Sequence, residues 1–171
     1  GGIRSIPDIK NVLRAGADKV SINTEAIKNS KIIKESVNEF GSSTIVLTIQ
    51  AKKVGGSWEA YYDNGRERSY KDALDWAKEA EDLGVGEILI ISVDNEGTLK
   101  GFDLELINSI MNRVTVPVIA CGGLGKLEHI TDLTRETSID AIALASALHY
   151  NKLSIKQIKD HCNSHKLPIR V

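Results

Sequence analysis

One pattern occurs twice in this chain, the second copy 121 or 122 positions after the first. Gly1-Gly2-Ile3-Arg4-Ser5-Ile6-Pro7-Asp8-Ile9 aligns with Gly122-Gly123-Leu124-Gly125-Lys126-Leu127-Glu128-His129-Ile130. Further along, Ala17-Asp18-Lys19-Val20-Ser21-Ile22-Asn23-Thr24 aligns with Ile139-Asp140-Ala141-Ile142-Ala143-Leu144-Ala145-Ser146. Each copy reads as a glycine turn, a helix, an apolar strand and a small polar residue. Glycine lets backbone N–H groups approach an anion with no Cβ in the way. A hydroxyl or amide at the end of the next strand completes a phosphate site at a helix N-terminus. Taken singly, a Gly-Gly turn is equally a tight βα connection. Two copies with matching downstream residues point instead to two phosphates, one toward each end of a single substrate.

Between the copies, apolar runs of strand length alternate with helical patterns. Ile6–Gly16 has helical spacing, Lys19–Asn23 reads as a strand, and Thr24–Phe40 as one helix capped by Thr24 and closed by Gly41. Thr44–Gln50 is a β-branched, almost wholly apolar run of the kind buried on both faces of a sheet. Residues 51–68 break the alternation, with a hairpin turn at Asp63-Asn64-Gly65. Ser69–Leu83 follows as a helix capped by Ser69, then Glu87–Val93 as another buried strand and Asp94–Thr98 as a polar loop. Asp103–Arg113, Lys126–Glu136 and Ser154–His165 read as helices, Val116–Cys121 and Asp140–Ala145 as strands. Five strands, each followed by a helix, make an α/β chain with a parallel sheet.

An open, doubly wound sheet calls for one crevice and no internal duplication. Doubling the repeat gives roughly 242 residues, near the roughly 250 typical of a (β/α)8 TIM barrel. The expectation is therefore a single domain over residues 1–171: the C-terminal five-eighths of such a barrel, holding strands four to eight of an internally duplicated pair of half-barrels. Strands one to three, roughly 75 to 80 residues on this arithmetic, are expected to be missing from this chain.

Composition narrows the function classes. With 22 basic against 23 acidic residues the chain has no electrostatic footprint for nucleic acid or an anionic membrane. Cys121 and Cys162 show neither metal spacing nor a disulfide framework, which makes a reducing cytoplasm the default. No apolar run approaches the roughly 18 residues needed to span a bilayer. Barrel chemistry sits where strands end and βα loops begin. Here those positions hold Asn23, Thr24, Gln50, Ser92, Asp94, Cys121, Gly122, Gly123 and Ser146, a polar ring with few charges. Asp94 is the one carboxylate at a strand end, and a lone loop Asp more often caps a turn than catalyses. His149 packs near a helix start, while His129, His161 and His165 read as surface residues on helices. Neither a metal nor a cofactor is implied.

The segments GGIRS, GADKVSINT, GEILIISVDNEGT, KGFD, CGGLGKLEH and ALASALHY together resemble the cyclase-subunit family of imidazole glycerol phosphate synthase, over essentially the whole chain. The resemblance implies a duplicated (β/α)8 barrel of histidine biosynthesis. That barrel binds a ribonucleotide with a phosphate at each end, adds ammonia, closes an imidazole ring and releases an aminoimidazole carboxamide ribotide. It implies a glutamine amidotransferase subunit docked at the N-terminal face, delivering ammonia through the barrel. By position, one phosphate site would use Gly2, Asn23 and Thr24, and the other Gly97, Gly123 and Ser146. Lys19 and Glu87 match half of a charged ring gating the ammonia entrance, or equally form a salt bridge at the strand starts.

Gln50 departs from this pattern, standing where the family carries a catalytic aspartate before Ala-Lys. An amide has no titrating proton and cannot act as general acid or base, a loss worth on the order of 10²- to 10⁴-fold in rate. Ile91 also replaces a threonine that the family usually carries. These departures raise an alternative: a cyclase-like relative that passes ammonia to an amidating enzyme, installing acetamidino groups on surface sugars without cyclase activity.

Overall fold

A computed structural model describes residues 2–170, so Gly1, the first glycine of the opening pair, lies outside the described residues. Among these residues one sheet holds seven strands: β1 (Val20–Ile22), β2 (Ile45–Val54), β3 (Ser57–Tyr62), β4 (Glu67–Asp72), β5 (Glu87–Ser92), β6 (Val118–Cys121) and β7 (Ala141–Ala143). Five of them, β1, β2, β5, β6 and β7, are parallel neighbours in chain order. That succession lacks the reversal that marks a doubly wound sheet. The expected parallel α/β sheet is present.

The two further strands come from the segment that broke the alternation. β2 runs ten residues, past its expected end at Gln50. Its first three residues pair with β1 through Val20↔Ile45 to Ile22↔Leu47. Its last five turn to β3 in antiparallel register, Gln50↔Tyr61 to Val54↔Ser57. The glycine pair Gly55-Gly56, both at positive φ, makes the first turn. Asp63, Asn64 and Gly65 make the second, as expected, at φ 50°, 59° and 76°.

The helices are α1 (Ile6–Arg14), α2 (Thr24–Lys28), α3 (Lys31–Phe40), α4 (Ala73–Asp82), α5 (Leu104–Met111), α6 (Glu128–Glu136), α7 (Ser146–His149) and α8 (Ile155–Ser164). Two expected helices begin or continue differently. Thr24–Phe40 is split, because Asn29 turns extended and its Oδ1 accepts from Lys31 N at 3.3 Å, a local alternative to the helical ladder. Thr24 is not a cap either, since it is already helical. The helix placed at Ser69 starts four residues later. Ser69 belongs to β4 and donates to the Ala60 carbonyl, while Asp72 caps α4 by accepting from Leu74 N (2.8 Å) and Asp75 N (3.1 Å).

Burial alternates along β1, β5, β6 and the middle of β2, so these strands have one well covered face. Ile45, Leu47 and Ile49 of β2 join Ile88 and Ile90 of β5 and Val118 and Ala120 of β6 in the core. Helical side chains such as Trp76, Leu106, Ile110 and Leu133 pack there too. The opposite face is not the dry interior expected for runs buried on both sides. Ser21, Thr48, Gln50, Leu89 and Ile91 line a cavity of about 1000 Å³ there. Period two decides this, because Thr48 and Gln50 sit on the face opposite Leu47 and Ile49.

Candidate functional site

The parallel strands end along one rim, and the polar positions flagged in the sequence gather on it. β1 leads into Asn23 and Thr24. The parallel pairing of β2 with β5 closes at Ala51↔Ser92, one residue after Gln50. β6 delivers Gly122 and Gly123, and β7 leads into Ser146.

Gly2, Asn23, Thr24 and Gln50 share the large cavity, as the first half of the repeat anticipates. Asn23 Nδ2 donates to Gln50 Oε1 (2.9 Å) and to the Tyr61 carbonyl (3.2 Å). A carbonyl only accepts, so the orientation of the Asn23 amide is fixed, and its Oδ1 is buried with no partner. Thr24 Oγ1 accepts from Asp63 N at 3.1 Å. The hairpin β3–β4 thus leans on this end of the rim. Arg4 and Lys28, which strand-end reasoning does not single out, also line the cavity and bring two cations to it, together with Glu25, Asp63 and Glu67.

Gly97, Gly123 and Ser146 share a second, small cavity of about 20 Å³ with Glu96, Cys121 and Gly122. Gly122 and Gly123 have φ of 99° and 96°, and Gly97 has φ of 74°. Gly123 O accepts from Gly101 N at 2.8 Å, and Asn95 Nδ2 donates to Gly101 O at 2.9 Å. A Cβ on Gly123 would run into the Gly101 carbonyl. The loop after β5 therefore lies directly on the turn after β6, and glycine is what allows it. Burial, with Glu96 nearby, pushes the Cys121 thiol up, away from a reactive thiolate.

The helices that follow Asn23 and Ala145, α2 and α7, have five and four residues. Dipoles that short contribute little, so what these positions offer toward the rim is N–H groups and hydroxyls rather than helix ends.

The carboxylates and imidazoles sort differently from their sequence reading. Asp94 ties the loop after β5 to β2 rather than capping its own turn, its Oδ2 accepting from Lys53 N at 2.8 Å. Asp103, at the N-cap of α5, accepts from Leu106 N (3.0 Å), Trp58 Nε1 (3.3 Å) and Ser92 Oγ (3.3 Å), tying the hairpin to β5 and its loop. His149 is exposed and meets Tyr150 edge-on. His129 is no surface residue: only 8% is exposed, and its Nδ1 accepts from Gly125 N at 3.2 Å. Its position opposite Asp8 in the repeat was the available signal.

At the opposite ends of the strands, Lys19 and Glu87 form an ion pair beside the starts of β1 and β5. Among the described residues no helix is long and apolar enough to cross a membrane.

Residues 1–154 match the family model described as histidine biosynthesis protein. The chain is 50% identical, over 99% of its length and 68% of the relative's, to imidazole glycerol phosphate synthase subunit HisF of Prochlorococcus marinus (strain MIT 9215). It is 43% identical, over 100% of its length and 68% of the relative's, to the protein of the same name from Clostridium botulinum (strain Okra / Type B1).

Proposed function

The chain belongs to the histidine biosynthesis protein family, and on that premise we propose that it acts as the cyclase subunit of imidazole glycerol phosphate synthase. The enzyme class is a lyase that closes a ring. The observation that carries the site reading is the pair of repeat-related clusters on one rim: Gly2, Asn23 and Thr24 in one cavity, Gly97, Gly123 and Ser146 in the other. An elongated ligand with a phosphate at each end matches two such clusters, and Gln50 lies on the rim between them. In this reading the five parallel strands are strands four to eight of a (β/α)8 barrel, and each half-barrel supplies one cluster.

The reaction needs ammonia as well as the ribonucleotide. A glutamine amidotransferase subunit would supply it from the face opposite the rim, where the Lys19–Glu87 pair stands at the strand starts. An ion pair there can part to pass a small neutral molecule and close again. At the rim, the donors Thr24 Oγ, Ser146 Oγ and the glycine N–H groups would hold the two phosphates. Gln50 can orient a substrate hydroxyl or amine by hydrogen bonding but cannot take its proton. The relatives named above carry the histidine-pathway name, and none of them speaks for the surface-sugar role.

The test is turnover of the bis-phosphorylated ribonucleotide by the full-length protein with ammonium salt as nitrogen source. Formation of imidazole glycerol phosphate supports the assignment. A folded protein that binds the ribonucleotide and forms no product overturns the cyclase role.

A further inference from the structure

The two copies of the repeat carry one hydrogen bond in common, made by different chemistry. In the first copy Arg4 N donates to Asp8 Oδ2 at 2.9 Å. In the second, Gly125 N donates to His129 Nδ1 at 3.2 Å. Gly125 aligns with Arg4 and His129 with Asp8, so a side chain four residues on receives the last N–H of each glycine turn. We infer that His129 is a positioning residue for the second anion site: its Nδ1 lone pair holds the Gly122–Gly125 turn so that the Gly123 end faces Gly97 and Ser146.

The role belongs to the neutral ring alone. A backbone N–H can only donate, so Nδ1 must be unprotonated for the bond to exist. The surroundings favour that state. Burial and the nearby Lys126 hold the imidazole below its ordinary value, against the opposing pull of Asp132 and Glu128 on its own helix. On the other side the ring faces the backbone at Gly101, where an added Cβ would stand 3.6 to 3.8 Å from it. The flanking Lys100 is exposed, and the Asp103 carboxylate is taken up by Leu106 N, Trp58 and Ser92. Asp8 has no such restriction, because a carboxylate accepts throughout the neutral range. The second site alone therefore loses its turn as pH falls and His129 takes a proton.

This inference rests on the reading of Gly123 as an anion site, and the experiment separates the two. In the full-length protein, inorganic phosphate is titrated while the amide resonances of Gly2 and Gly123 are followed, and hydrogen exchange is read at Gly125. His129→Leu is expected to weaken phosphate at Gly123 about tenfold, to leave Gly2 unchanged and to speed exchange at Gly125. His129→Asn places an oxygen where Nδ1 was, as Asp8 does in the other copy. It is expected to restore affinity to within about twofold of wild type and to abolish the acid-side loss at Gly123. His129→Gln reaches the Nε2 position instead and should not rescue. Wild-type phosphate affinity and slow Gly125 exchange in His129→Leu, or an unchanged pH profile in His129→Asn, overturns the positioning role. Phosphate that shifts neither glycine in wild type overturns the two-site reading instead, while the exchange at Gly125 still decides the role of His129.

Discussion

Asn23 Nδ2 and Gln50 Oε1 lie 2.9 Å apart, so the residue just after β1 and the one just before the last parallel pair of β2 are joined amide to amide. Because the Tyr61 carbonyl fixes the Asn23 nitrogen, Gln50 must present its oxygen to it and turn its own nitrogen elsewhere. A carboxylate at position 50 would add a group able to exchange a proton. Gln50→Asp is therefore expected to raise ammonium-dependent turnover on the order of 10²-fold, with Gln50→Leu raising it not at all. Steady-state assays of the two variants with the bis-phosphorylated ribonucleotide check this.

The glycine turn gives a graded prediction. Gly123→Ala combines a φ of 96° with a collision against the Gly101 carbonyl, whereas Gly97→Ala has a φ of 74° and nothing within 4 Å. Gly97→Ala should cost about 1 kcal/mol, from backbone strain alone. Gly123→Ala should cost about 3 kcal/mol or more, because backbone must move. Denaturant titration gives both values.

Glu81 binds α4 to the segment entering β6. It pairs with Lys78 and accepts from Thr115 N (2.6 Å), Thr115 Oγ1 (2.8 Å) and Val116 N (3.0 Å). These partners, Lys78 foremost, lower its pKa from 4.5 to about 2. A carboxyl whose folded value is depressed stabilises the protein above its unfolded value and loses that contribution as pH falls through the folded one. Glu81→Gln is expected to cost on the order of 2 kcal/mol at neutral pH. The gap to wild type should narrow between about pH 5 and pH 2, as melts at a series of pH values would show.

The Lys19–Glu87 pair separates two readings by their energetics. Both side chains keep solvent contact, at 43% and 22% exposure. Such a pair contributes less than about 1 kcal/mol to stability, so Lys19→Met should leave the melting temperature nearly unchanged. A gate would reveal itself differently. Glutamine-dependent turnover in the complex with the amidotransferase should fall while ammonium-dependent turnover stays at the wild-type level. Equal changes in both would reduce the pair to a strand-start salt bridge.

The sequence disclosed what periodicity and duplication encode, and less of what distant contacts decide. Gly123 and Ser146 could be paired with Gly2 and Thr24 because two copies of one pattern constrain each other. The parallel strands were legible from runs such as Glu87–Ser92, yet their single covered face depends on which neighbours pack on them. Ser69 and Asp72 are both good capping residues, and pairing of β4 with β3 chose the second. Arg4 and Lys28 end no strand, and only the fold brings them to the cavity. The charged neighbours Glu128 and Asp132 make His129 look like part of an exposed helix face, whereas the packing of Gly101 and Gly125 against its ring buries it.

Sharing β2 between two partners has a consequence for how this chain tolerates length changes. Residues 45–47 are held by β1 and residues 50–54 by β3, with β5 along the other side. A single residue inserted between Leu47 and Gln50 would reverse the facing of everything beyond it, sending Gln50 under the helices and carrying Tyr61 away from Asn23. One inserted at the Gly55–Gly56 turn would only lengthen an exposed loop. Variation in chain length among functional homologues should therefore collect at the hairpin tips and be absent from the two residues where β2 changes hands.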